Sequence, residues 1–213
     1  MNRFFLADHH FRHGNIYSFV GEGGERIRPW AENADEADAM MVEAHNEVVK
    51  HGDTTYFMGD VAINVRGLDN LAKMNGRKIL IRGNHDIFKL KKYTEHFADI
   101  RGTHKIDKVI FSHYPLHEDS LPKWCLGNAH GHTHERAVRT EDGLINPRYL
   151  NMCVETVGLR PLHFDEVVMR LEEQQNEAKL KANRSDQETW TGQLRGPGRW
   201  LMRIFNIGMQ RTR

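Results

Sequence analysis

Short apolar runs along this chain lead, again and again, into side chains that can bind a metal ion or a proton. Arg3-Phe4-Phe5-Leu6-Ala7 runs into Asp8-His9-His10, Thr55-Tyr56-Phe57-Met58 into Gly59-Asp60, and Lys78-Ile79-Leu80-Ile81 into Gly83-Asn84-His85-Asp86. Val109-Ile110-Phe111 leads into Ser112-His113, and a fifth segment is Gly131-His132-Thr133-His134. Runs this short, rich in β-branched and aromatic residues, predict buried strands over 3–7, 54–58, 77–82, 107–112 and 127–131. Ligands of open α/β sheets gather at the carboxyl ends of strands. Carboxylate, imidazole and amide groups leaving neighbouring strands there would meet in one place.

Between the strands, helical spacing of Ala37, Met40, Met41, Ala44, Val48 and Val49 predicts a helix over 35–50, and a second is expected across 67–74. Residues 10–33, rich in Gly and Arg, read as a long loop over the strand ends. Residues 88–104 read as a short helix and a connecting strand. A hairpin through 140–143 and a strand over 148–154 complete a second strand-rich half. Phe164, Val167, Val168, Leu171 and Ala178 mark a helix to Ala182. The polar stretch 183–198, with Gly196-Pro197-Gly198, reads as a linker, followed by a short basic amphipathic segment from Arg199. A domain over 1–168 and an appendage over 169–213 are expected.

Composition changes this picture little. At 213 residues, 39% apolar and 28% charged, with a formal net charge of +1, the chain is an ordinary globular one. The charge is uneven: from Arg184 onward six arginines face Asp186 and Glu188, leaving −3 on residues 1–183. An acidic core lacks the electrostatic footprint of a nucleic-acid binder, so that partner is disfavoured. Cys125 and Cys153 cannot build a disulfide framework and read as reduced packing residues. Neither a signal peptide nor a run of ~20 apolar residues is present, so a cytoplasmic location is expected. The tail could rest on a membrane or a partner; packing on the domain or on a sister subunit, giving a homo-oligomer, is the favoured reading. Histidines outside the motifs, such as His9, His45 and His130, read as surface or interior residues without a chemical role.

The ordered set Asp8-x-His10, Gly59-Asp60, Gly83-Asn84-His85-Asp86, Ser112-His113 and Gly131-His132-x-His134 resembles the calcineurin-like metallophosphoesterase superfamily. Phe11-Arg12-His13-Gly14-Asn15-Ile16, Asn75-Gly76-Arg77-Lys78 and Asn151-Met152-Cys153-Val154-Glu155 resemble its compact bacterial and phage branch. The resemblance spans about residues 3–168. It implies a four-layer αββα sandwich of two mixed sheets flanked by helices. It also implies two divalent metal ions, Mn, Fe, Zn or Ni, with Asp8, His10 and His134 on one, Asn84, His113 and His132 on the other, and Asp60 bridging both. The reaction implied is hydrolysis of a phosphodiester, or less favoured a phosphomonoester, by a hydroxide shared between the ions.

His85 is not a ligand in that family and faces the leaving group. A free imidazole, with a pKa of ~6.5, can serve there as acid or cation, and Asp86 is expected to orient it. His13 and Asn15 are candidate phosphate contacts, with Arg12 and Arg82 similar but weaker candidates. The family's frequent charged residue after the second motif is replaced here by Val61-Ala62-Ile63-Asn64, and no large cap insertion separates the motifs. An open cleft for a small phosphoester, such as a nucleotide, follows. A nuclease of the same superfamily and a non-catalytic binding scaffold are the alternatives. The presence of His85 and all seven presumed ligands argues against the scaffold.

Overall fold

The computed structural model describes residues 1–21 and 23–194, with side chains through residue 184. Residues 1–176 form one compact unit, and Glu177 onward belongs to a second. Two mixed sheets with helices make the α/β sandwich expected. The first has the order β4-β3-β2-β1-β9 and the second β5-β6-β7-β8. In the first, β1 (Arg3–Leu6), β2 (Thr54–Phe57), β3 (Arg77–Ile81) and β4 (Asp99–Arg101) run parallel, and β9 (Leu162–His163) pairs antiparallel with β1. In the second, β5 (Thr103–Ile106) is antiparallel to β6 (Val109–Ser112), while β6, β7 (Gly127–His130) and β8 (Tyr149–Asn151) are parallel.

The period-two alternation of strands explains why the runs are apolar throughout. Phe5, Tyr56 and Ile79 share a core with Val109, Phe111 and Ala129 of the other sheet. Their neighbours Leu6, Phe57 and Leu80 belong instead to a core with Ala37 and Met41 of helix α1 (Ala34–Val48). Each central strand is therefore buried on both faces. Phe5 stacks on Tyr56 at 4.8 Å and on Phe111 at 4.1 Å between centroids, which ties one sheet to the other. Truncating such a ring to alanine costs about 3–5 kcal/mol.

Helix α1 starts where Asn33 accepts a hydrogen bond from the Glu36 N–H, with Asp35 and Glu36 in its first turn. On the outer face of the second sheet, the chain after β6 is held by paired residues of β7 and β8. The Leu116 N–H donates to Asn128 Oδ1, and the Tyr149 hydroxyl donates to the Leu116 carbonyl.

Four local expectations change. The helix expected across 67–74 is a 3-10 helix, Val65–Lys73. The strand expected over 107–112 is β6 and starts at Val109, because Asp107, at a φ of 49°, lies in the turn that joins it to β5. The strand expected over 148–154 stops at Asn151, and Val154 opens helix α2 (Val154–Val157). Helix α3 (Phe164–Leu194) does not end at Ala182. Its polar continuation contains arginine, glutamine and glutamate, which favour helix, and meets no proline before Pro197. Polarity alone does not stop a helix. The Gly196-Pro197-Gly198 breaker and the amphipathic tail lie outside the described residues.

Candidate metal centre

All seven expected ligands leave the carboxyl ends of parallel strands: β1, β2 and β3 of one sheet, β6 and β7 of the other. They converge as two groups. Asp8, His10 and His134 offer ligand atoms within 4.8 Å of one another, and so do Asp60, His113 and His132. Asn84 joins the second group, its Oδ1 lying 2.9 Å from His113 Nε2. Asp60 stands between them: Oδ2 is 3.7 Å from His10 Nε2, and Oδ1 is 3.5 Å from His113 Nε2.

The backbone makes this convergence at the cost of strain. Asp8, His10, Asp60, His132 and His134 all adopt left-handed φ values, between 51° and 71°. Such conformations cost roughly 1–3 kcal/mol each in a non-glycine residue and cluster at functional sites. The turns are held by bonds between motifs. The Asp8 N–H donates to the Gly59 carbonyl, the His10 N–H to the Asp60 carbonyl, and the Gly131 N–H to the His113 carbonyl. Three glycines have no substitute here. A Cβ at Gly59 would strike the His113 ring, one at Gly83 would strike Asp60, and one at Gly131 would strike the Asp8 carboxylate.

The polar atoms fit a cation. Asp8 Oδ1 and His10 Nε2 are buried and have no hydrogen-bond partner, a state native proteins rarely tolerate. A cation among the first group would satisfy both atoms. Mixed carboxylate and imidazole donors suit borderline divalent metals. Burial alone would raise the Asp8 carboxyl. The facing His10, with His113 and His134 nearby, more than offsets it and holds the pKa far below the ordinary range. His132 is lowered by burial and then by His113.

The remaining predicted residues divide. His85 stands at the rim with its side chain half exposed, its N–H donating to Asp60 Oδ1 and its Nε2 4.0 Å from Asp60 Oδ2. Its ring lies 5.5 Å from that of His10. His13 is beside His10, also at 5.5 Å, and burial pulls its pKa down to about 4. Asn15 is exposed on the 3-10 helix Gly14–Ser18.

Two expectations are corrected. Asp86 does not orient the His85 imidazole. Its buried carboxylate accepts from the N–H groups of Asp60, Val61 and Gly83, so it clamps the Gly59-Asp60 turn onto the Gly83 turn. Arg12 is drawn toward helix α1, where its guanidinium lies 2.8 Å from Asp35 Oδ1 and its N–H donates to Asp38. Two acidic side chains on a neighbouring helix outcompete the cleft for it. Arg82 likewise donates to the Asp86 carbonyl.

Three further residues, none of them given a role at the site by the sequence, stand behind the first group. Glu155 Oε1 lies 3.0 Å from His134 Nδ1, Arg28 is wholly buried against Glu155, and Cys153 Sγ lies 3.2 Å from Asp8 Oδ2. Glu155 carried a signal, a carboxylate just past the carboxyl end of β8, the same placement as the ligands. Arg28, inside a long irregular segment, carried none.

No family profile matches this chain. It is similar to the uncharacterized protein MJ1445 of Methanocaldococcus jannaschii, 29% identical over 177 residues, which covers 79% of this chain and 90% of that protein. The gene 66 protein of Mycobacterium phage L5 is 26% identical over 194 residues, covering 74% of this chain and 88% of the phage protein. Among solved structures, the protein of unknown function AQ665 from Aquifex aeolicus aligns over 78% of this chain and 97% of its own. Its TM-score of 0.56 at 24% identity supports a shared fold. Among the described residues no helix is long and apolar enough to cross a membrane.

Proposed function

We propose that this protein is a phosphoric ester hydrolase working with two divalent cations. Asp8, His10 and His134 would hold one, Asn84, His113 and His132 the other, and Asp60 both. The observation that carries this reading is the placement of Asp60, whose two carboxylate oxygens face different ligand groups at 3.7 and 3.5 Å. When bound, two such ions acidify a water molecule and stabilise the charge that develops on a transferring phosphoryl group.

The chain's own residues supply the rest. His85 stands outside both ligand groups with its ring exposed at the rim, where it can give a proton to a leaving oxygen. Its N–H bond to Asp60 Oδ1 fixes its place relative to the shared carboxylate. Asp86 keeps the second and third motifs in register through three N–H bonds, so that Asp60 and Asn84 arrive together. The half-exposed His85 ring leaves the cleft open to a small phosphodiester, a phosphomonoester or a nucleotide.

The test is a hydrolysis panel on the metal-reconstituted protein: bis-para-nitrophenyl phosphate, the matching monoester, cyclic nucleotides and single-stranded DNA. The expected result is turnover of a small ester that disappears with chelator. His85→Ala should lower kcat ~10²–10⁴-fold, the scale of a lost general acid, with metal content unchanged. No turnover with any divalent metal would contradict the proposal and favour a binding scaffold.

A further inference from the structure

A fully buried arginine is unusual, and Arg28 is among the largest wholly buried side chains of the protein. It comes from the long segment between β1 and α1 and reaches behind the first ligand group. Its Nε donates to Glu155 Oε1 at 2.8 Å, and its two terminal nitrogens donate to the His9 carbonyl at 2.8 Å and the Asp8 carbonyl at 2.6 Å. Glu155 Oε1 also meets His134 Nδ1 at 3.0 Å. Three ligands of one group are thus tied to one ion pair. Asp8 is held through its own carbonyl, His10 through the peptide before it, and His134 through its ring.

We infer that Arg28 and Glu155 are a positioning pair that prepares Asp8, His10 and His134, and not the other ligand group, for a cation. This role rests on the proposed metal centre. A carboxylate bonded to Arg28 has no proton to give, so the His134 nitrogen facing it must be the donor. The proton then sits on Nδ1, and the Nε2 lone pair faces the cleft. Hydrogen bonds of this kind orient metal-binding imidazoles and raise their basicity.

Arg28 does the complementary work on the backbone. Asp8 and His10 are both in left-handed conformations, and its bonds to the Asp8 and His9 carbonyls fix the peptides between them. Because the pair is neutral overall, it orders the ligands without adding charge to the cleft. In the second group His113 rests on backbone instead: its Nδ1 faces the Met58 carbonyl at 3.0 Å, and among the described residues no ion pair lies behind it. Changing Glu155 should therefore separate the two cation positions.

The experiment is a Mn²⁺ titration of the full chain, followed by the electron paramagnetic resonance signal of free ion, on wild type, Glu155→Gln and Glu155→Asp. Glu155→Gln keeps shape but removes the charge opposite Arg28. Glu155→Asp keeps the charge and loses the reach to His134, so it serves if the glutamine variant does not fold. Wild type should bind two Mn²⁺. Each folded variant should weaken one class of ion ~10–100-fold, the usual cost of losing an outer-shell partner, with the other class unchanged. In metal-free protein, ¹⁵N shifts of His134 should move from the Nδ1-protonated pattern toward a tautomer mixture, which a merely structural defect would not produce. Two unchanged classes, or two classes weakened alike, would overturn the inference. A wild-type chain binding fewer than two Mn²⁺ would instead overturn the metal-centre reading beneath it.

Discussion

The two ligand groups share one cleft and one carboxylate, yet the fold supports them in different ways. Asp8, His10 and His134 lean on a buried ion pair built from distant side chains, Arg28 and Glu155. His113 leans on a backbone carbonyl, Asn84 on the His113 ring, and Asp60 on the turn clamped by Asp86. Support from backbone follows from the sheets themselves and survives most substitutions. Support from an ion pair can be switched off by changing one atom. One group consequently depends on a buried ion pair behind it, and the other on the Met58 carbonyl, the His113 ring and the turn held by the Asp86 carboxylate.

The largest expected effect comes from the residue the groups share. Asp60→Ala should empty both positions and lower hydrolysis by ~10³-fold or more, as when a component acting as part of a unit is lost. Metal analysis beside kinetics checks it, and retention of both ions would break the symmetry assigned to Asp60. Next, His10→Ala and His132→Ala should each remove one ion and keep the other. Two ions lost in either variant would show that the positions fill only together.

Metal-free protein should sharpen the contrast through pH. Burial would lower His134, but its bond to Glu155 more than offsets that and raises it, whereas burial and His113 lower His132. The raised group stabilises the metal-free fold below the ordinary value of about 6.5, and that contribution fades as pH climbs through its folded pKa. The lowered group contributes above about 6.5, and that contribution is lost as pH falls toward its folded pKa. A histidine NMR titration should therefore find His134 titrating above His132, and the reverse order would contradict the contrast. The smallest effect belongs to Arg12. With its guanidinium half exposed and paired to Asp35, Arg12→Ala should leave kcat near wild type and cost about 0.2–1 kcal/mol in thermal unfolding.

What could be read from sequence was what depends on local pattern. Runs such as Lys78–Ile81 or Val109–Phe111 are strands because both faces are buried, and the groups after them fall at strand ends for the same reason. Residue order therefore pointed to the strand ends where Asp8, His10 and His134, and Asp60, His113 and His132, come together in groups that could hold an ion. What failed depends on where a long side chain turns in three dimensions. Arg12 and Asp86 sit beside ligands in sequence but answer to Asp35 and to three N–H groups. Arg28 lies 127 residues from Glu155 along the chain, and no pattern links them before folding. The two-residue strand β9 was invisible because Leu162 and His163 are too few to show a period.

Anomalous diffraction from crystals grown with Mn²⁺ tests the central claim most directly. The account predicts two peaks ~3.5–4 Å apart, one against Asp8, His10 and His134, the other against Asn84, His113 and His132, with Asp60 touching both. A single peak, or two ions that do not share Asp60, would contradict it.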